Sequence, residues 1–327
     1  MSLSILGTLL IVLAIITYHT YRQDIHAARA RVSSGSQVVN TACGPIEYAA
    51  GGKGIPVLMI HGAGGGFDQG LETGWPLLDN GFQLIAVSRF GYLRTPFPTD
   101  ASPAAQADAH ICLLDALNLP KVVVIGLSAG APSAMQLCLR HPERRRAMVL
   151  LVPIAFAPPP AGKSQQQPSA VTQFVMNTAL RSDFVSWILT KLARETMVET
   201  ILATPASDFR NATPDEQERV VRLLRHILPI SRREKGLWND AVVSASIPRY
   251  ELERFTVPAL VISAENDLFG TFRSARYTAE HVPGAHFVGF ATGGHLLAGR
   301  QQEAWSALRE FLNKAPDERQ SIKAGST

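Results

Sequence analysis

The run Val122-Val123-Val124-Ile125-Gly126-Leu127-Ser128-Ala129-Gly130-Ala131 constrains this chain more than any other segment. Its β-branched start reads as a buried strand. The Gly-x-Ser-x-Gly that follows, leading into helix-like texture, describes a strand that stops, a sharp turn, and one serine left at the tip. Such a turn cramps the serine backbone, so the residues beside it must be nearly free of side chain. Gly126 and Gly130 supply that room, and Ala129 and Ala131 keep the crowding low. The Ala129 N–H then points into the start of a helix, where an oxyanion can be held.

Around this turn the chain alternates strand and helix. Pro56–Ile60 is a short continuous apolar strand, Gln83–Ser88 the next, and Ala147–Val152 follows the helix after Ser128. Helices are expected from about Pro103 to Leu117 and from Ser128 to near His141. Short links between alternating elements give a parallel, doubly wound sheet. The rhythm stops at Pro153. A Pro-, Gly- and Gln-rich stretch, Pro158 to Pro168, has linker composition, and helical spacing then runs to about Tyr250. Within it, Thr213-Pro214-Asp215-Glu216 reads as a helix start. Strands resume at Pro258–Ile262 and His286–Phe290, with helices near Thr271–Val282 and Arg300–Leu312. One sheet is therefore interrupted by a helical insertion.

A serine hydroxyl is a poor nucleophile until a base takes its proton, and a carboxylate commonly fixes the tautomer of that base. For a strand–turn–helix serine the chain order is Ser, acid, His. Asp267 sits just past the resumed strand, and His295 follows the last strand behind two glycines. Glu265 is the competing acid. His286 begins its strand instead of following it, and His141 and His281 fall at helix ends, so these three read as structural or solvated. An oxyanion site needs two donors. Ala129 N–H is one, and the His61-Gly62-Ala63-Gly64-Gly65-Gly66 loop offers Ala63 N–H as the other, with Gly64 second. A phosphate-binding reading of that loop fails, because Phe67 stands where a lysine is needed. His61 itself reads as organising the loop.

The N-terminus differs in kind. Leu3 to Thr17 is almost purely apolar, followed by Tyr18, His19 and Tyr21, which suit a headgroup region, and then by Arg22, Arg29 and Arg31. An uncleaved membrane anchor is expected, with the folded region on the cytoplasmic side by the positive-inside rule; export after signal cleavage is the alternative. The net charge of +4 is too weakly clustered for a nucleic-acid partner. Arg144-Arg145-Arg146 and Arg232-Arg233 read as solvated helix ends. Of three cysteines, Cys112 and Cys138 fall in apolar helical patterns and read as buried hydrophobes, with no metal spacing and no disulfide framework.

From about Val38 to Leu312 the chain resembles the α/β-hydrolase superfamily, carried by the His61-Gly62 loop, the Ser128 turn, Asp267 and His295 in order. Ser88-Arg89-Phe90-Gly91-Tyr92-Leu93-Arg94-Thr95 looks like the family's turn after a strand, but with Ser88 where Asp is usual, which alters a local hydrogen-bond network. The resemblance implies an α/β fold, a doubly wound, mostly parallel sheet with an inserted helical cap. The expected division is an anchor over 1–21, a tether over 22–36, a core over 37–153 and 251–314, a cap over 154–250, and a polar tail over 315–327. It also implies a serine hydrolase of carboxylic esters with an acyl-enzyme intermediate, Ser128 as nucleophile, His295 as base, Asp267 as orienting acid, and no metal or cofactor. Small-molecule esters, lipid-like ones included, are the expected substrates. Cap residues such as Phe174, Val175, Phe184, Trp187, Ile188 and Leu189 either floor an acyl site or form the cap's own core. Carbon–carbon, lactone or amide hydrolysis uses the same three residues, and a non-catalytic ligand-binding protein on this fold is the alternative of another class.

Overall fold

Val57, Leu58, Met59 and Ile60 are sealed from solvent, and so are Val122, Val124 and Ile125. Strands without an exposed face belong in the middle of a sheet covered on both sides. The computed structural model, which describes residues 3–159 and 180–314, puts them there. Its eight strands are β1 (Gln37–Thr41), β2 (Gly44–Gly52), β3 (Ile55–Ile60), β4 (Phe82–Val87), β5 (Val122–Leu127), β6 (Arg145–Leu151), β7 (Ala259–Ala264) and β8 (His286–Phe290). They lie in the order β1-β2-β4-β3-β5-β6-β7-β8, antiparallel at β1/β2 and β2/β4 and parallel elsewhere.

One face of the sheet packs on α3 (Pro103–Ala116), α4 (Ala131–Arg140) and α10 (Thr271–His281), the other on α2 (Phe67–Gly74) and α11 (Gln301–Lys314). Between β6 and β7 the described chain forms α5 (Asp183–Leu192), α6 (Arg194–Thr200), α7 (Ala206–Asn211), α8 (Pro214–His226) and α9 (Glu234–Ala245). Thr213 caps α8 by accepting from the Glu216 N–H, as its sequence foretells. These helices share their own apolar cluster, which includes Trp187, Val198, Val220 and Leu224. The Pro- and Gln-rich stretch expected as a linker, together with Phe174 and Val175, lies mostly or wholly outside the described residues. The polar tail lies wholly outside them.

Three expectations are corrected. No tether separates the apolar N-terminus from the folded region, because α1 (Leu3–Ser33) runs through residues 22–33 as unbroken helix. Its second half lays Ile25 and Ala28 into the cap cluster and buries Val32, and the Tyr21 ring meets Phe184 and Trp187 edge-on. The spacing of 21, 25, 28 and 32 is one helical stripe, hidden among polar neighbours. Asp24 adds polar anchorage by accepting from Trp187 Nε1 at 2.8 Å and pairing with Lys191 at 2.9 Å.

Cys112 is bonded to Cys43, tying the β1–β2 turn to α3. Cys138 alone is the buried free thiol expected, and burial pushes its pKa up to about 12. Two arginines read as solvated are not. Arg145 opens β6 inside the protein and donates to Thr256 Oγ1, and Arg233 is fully buried against Asp68 at 2.7 Å. Asp68 lies 165 residues before Arg233, so no local pattern announces the pair.

Candidate active site

Ser128 has φ of +50°, a conformation that a side-chain-bearing residue adopts only when its surroundings impose it. The surroundings are β5, which delivers the chain, and a short turn that starts α4 at once. Gly126 lies against Ala131 and Ala134, where a Cβ would stand 2.7 Å from the Ala134 methyl. Ser128 is left nearly buried at the carboxyl end of the central strands.

Its Oγ lies 2.8 Å from His295 Nε2, and His295 Nδ1 lies 2.7 Å from Asp267 Oδ2. With a carboxylate at Nδ1, that nitrogen carries the proton, and Nε2 is free to accept from the serine hydroxyl. Asp267 is held in turn by the Phe269 N–H at 2.8 Å on Oδ1 and by the Thr271 hydroxyl on Oδ2. The His295 loop is pinned to the cap and to the loop that carries Asp267. Its N–H donates to Ala203 O, Gly294 N–H to Asn266, and Gly293 N–H to Asp208 of α7. The Phe269 ring packs edge-on to the imidazole. Glu265, the rival acid, is exposed. His286 is exposed, His141 pairs with Asp108, and His281 stacks on Tyr277.

A model of the alpha/beta hydrolase fold matches residues 55–298. The chain belongs to that family. A hydrolase of Bacillus subtilis, YcgS, whose own role is uncharacterised, is 26% identical over 284 residues, spanning 82% of this chain and 95% of that one. The pimeloyl-[acyl-carrier protein] methyl ester esterase of Neisseria meningitidis is 27% identical across 78% of this chain and 93% of its own. Among solved structures, an alpha/beta hydrolase fold protein from Nakamurella multipartita superposes with a TM-score of 0.73 at 28% identity, over 85% of this chain and 98% of that one.

The hydrolase's glycine loop stands against the serine, where a Cβ on Gly62 would lie 3.1 Å from the Ser128 Cβ. His61 is fully buried at its base. Burial, with the Arg89 charge nearby, holds its pKa well below 6.5, so the ring is neutral. It accepts the Arg89 N–H at Nε2 and donates from Nδ1 to Gly62 O, which makes it a loop organiser and not a second base. The Ser88 departure is compensated from another strand. Ser88 Oγ bonds the buried Glu47 of β2 at 2.9 Å, so Glu47 supplies the carboxylate there. Among the described residues no group of three or more His, Cys, Asp or Glu is arranged to hold a metal ion.

Beside His295 a narrow cavity of about 60 Å³ is walled by Leu127, Leu151, Val152, Leu223, Leu297 and Trp305. These residues come from strand ends, the His295 loop, α8 and α11. Phe184, Trp187, Ile188 and Leu189 are absent from this wall; they pack on α1 or within the cap instead. Sequence reasoning also missed Gln69, whose Oε1 accepts the Gly62 N–H at 2.9 Å, and the Arg89–Tyr92–Asp240 cluster behind the loop. Spacing gives no sign of either, because each partner matters only through its position in space.

Proposed function

We propose that this hydrolase cleaves carboxylic esters with short apolar acyl groups, by way of an acyl-enzyme. The hydrogen-bonded chain Ser128–His295–Asp267 carries the reading. His295 Nε2 takes the hydroxyl proton as Ser128 Oγ adds to the ester carbonyl. The resulting imidazolium is stabilised by Asp267. The tetrahedral oxygen accepts hydrogen bonds from the N–H groups of Ala63 and Ala129. Collapse breaks the C–O bond, and His295 hands its proton to the departing alcohol. Water, deprotonated by the same imidazole, then frees the acid and restores the Ser128 hydroxyl.

The cavity supports the acyl preference. It is smaller than the about 150 Å³ that accommodates benzene in an engineered core, so as it stands it takes only a few methylenes. A second reading, carbon–carbon bond hydrolysis, draws on the 2-hydroxymuconate semialdehyde hydrolase of Pseudomonas sp. (strain CF600). That enzyme is 34% identical over 109 residues, but the match spans only 37% of its length. The ester reading is favoured because the esterase relative matches along nearly its whole chain.

Residues 5–33 form a helix long and apolar enough to cross a membrane, and its apolar window is unburied, which supports α1 as a bilayer anchor.

The test is labelling by a fluorophosphonate, together with hydrolysis of p-nitrophenyl acetate and butyrate. Wild-type protein is expected to be labelled at Ser128 and to turn over both esters, whereas Ser128→Ala does neither. Ester hydrolysis that survives Ser128→Ala would sink the mechanism.

A further inference from the structure

Five consecutive peptide units of the glycine loop are fixed, and the clamps leave one N–H out. Gly62 N–H donates to Gln69, Gly64 N–H to the Tyr92 hydroxyl at 3.2 Å, and Gly65 N–H back to Gly62 O at 3.3 Å. The Arg89 guanidinium holds the carbonyls of His61 and Gly62 at 2.9 and 3.2 Å, and Arg233 donates to Gly65 O. Among the described residues the Ala63 N–H has no acceptor, and Ala63 is exposed while its loop neighbours are buried.

What fixes the clamps comes from the cap. Asp240, on α9, accepts both ends of the Arg89 fork at 2.7 Å and the Tyr92 hydroxyl at 2.5 Å. All three side chains are buried. Gly236, one turn earlier on α9, lies on the Tyr92 ring so closely that any Cβ would overlap it, and its N–H donates to Gly91 O. Arg233, just before α9, also reaches the loop from the cap. Its charge is met by Asp68.

Buried charges of this kind contribute little net stability compared with apolar packing, while losing one partner is costly. Their value here is geometric. Arg89 offers a rigid planar fork, and a single carboxylate can fix that fork and the Tyr92 hydroxyl together. With His61 O, Gly62 O and Gly64 N held from the same carboxylate, the intervening Ala63 N–H has little freedom to turn.

We propose that Asp240, acting through Arg89 and Tyr92, is the positioning residue that aims the Ala63 N–H at the reacting oxygen, so that docking of the cap completes the oxyanion site. The inference rests on the ester-hydrolase reading above. It makes the cap part of the chemical step and not only a wall of the substrate pocket.

The experiment uses full-length protein in mild detergent with Tyr92→Phe and Asp240→Asn. Tyr92→Phe removes one oxygen and leaves the ring packed on Gly236. It is expected to slow phosphonylation of Ser128 by a fluorophosphonate at least tenfold and to lower kcat for p-nitrophenyl acetate equally. KM should stay within twofold, and the pH of half-maximal rate, which reports on His295, should not move. Asp240→Asn is expected to do the same more strongly. If Tyr92→Phe labels as fast as wild type, or if its loss lies in KM or in the His295 titration, the positioning role is overturned. Failure of wild-type protein to label would instead bring down the hydrolytic reading, and this inference with it.

Discussion

A Cβ placed on Gly130 would stand 2.5 Å from the carbonyl oxygen of Ile60 and 2.6 Å from that of His61. Both obstacles are backbone, one of them in the central strand β3, so neither can swing aside. Gly130→Ala is therefore expected to cost about 3 kcal/mol or more of stability, at the upper end for overpacked cores. Its unfolding midpoint measures this. Gly62→Ala meets the Ser128 Cβ at 3.1 Å and the Leu127 carbonyl oxygen no closer than 3.4 Å, and should spare the fold while lowering the labelling rate of Ser128.

The cavity beside His295 makes a prediction about chain length. Leu223 enters its wall from α8. Leu223→Phe should fill space needed by the longer acyl group, and one methylene in an apolar pocket discriminates by about tenfold or more. The ratio of kcat/KM for p-nitrophenyl butyrate over acetate should fall by at least that factor. An unchanged ratio would mean that the acyl group lies elsewhere.

Acid should weaken the fold through histidines that the reaction does not use. Burial, with Arg89 nearby, pushes His110 down to about 3, and His61 is lowered in the same direction. The unfolded chain binds these protons below about 6.5, and the folded protein refuses them, so stability is lost as pH falls from 6.5 towards 3. At pH 5 the His110 contribution to that loss is about 2 kcal/mol. Urea unfolding at pH 7 and pH 5 should show the pH slope reduced by nearly one proton in His110→Gln. An identical slope would show that His110 titrates normally.

The two halves of α1 should separate by truncation. Removing residues 1–20 takes away apolar surface that the folded region never covers, and should leave soluble, active protein. Removing 1–34 also strips Ile25 and Ala28 from the cap cluster and takes away the buried Val32, a loss of about 4 kcal/mol by apolar burial. Thermal unfolding of the two truncations compares them. Equal stability would restore the idea of a passive tether.

With α1 proposed as an anchor, redox state tests on which side of that membrane the folded region would lie. Disulfides persist where thiols are not kept reduced, whereas arginines after an apolar span favour the cytoplasm. Alkylation of intact cells before and after reduction is expected to find Cys43 and Cys112 protected until reduced, the outcome for a folded region outside the cytoplasm. Free thiols in unreduced cells would support the arginine-based orientation.

The sheet's rhythm, the Ser128 turn, the Thr213 cap, and the order of Ser128, Asp267 and His295 are all legible in the chain. Each is dictated by local physics: strand and helix periods, the steric demands of a tight turn, and the tendency of loops at strand ends to gather reactive groups. Nothing local reveals that Asp240 will face Arg89 from 151 positions away, that Arg233 will be buried on Asp68, or that Ile25 and Ala28 will find the cap. A charge on a linear chain reads as solvated, because water is its default partner. Only the packed fold excludes that water, and only then does the identity of the remaining neighbour decide what the charge does.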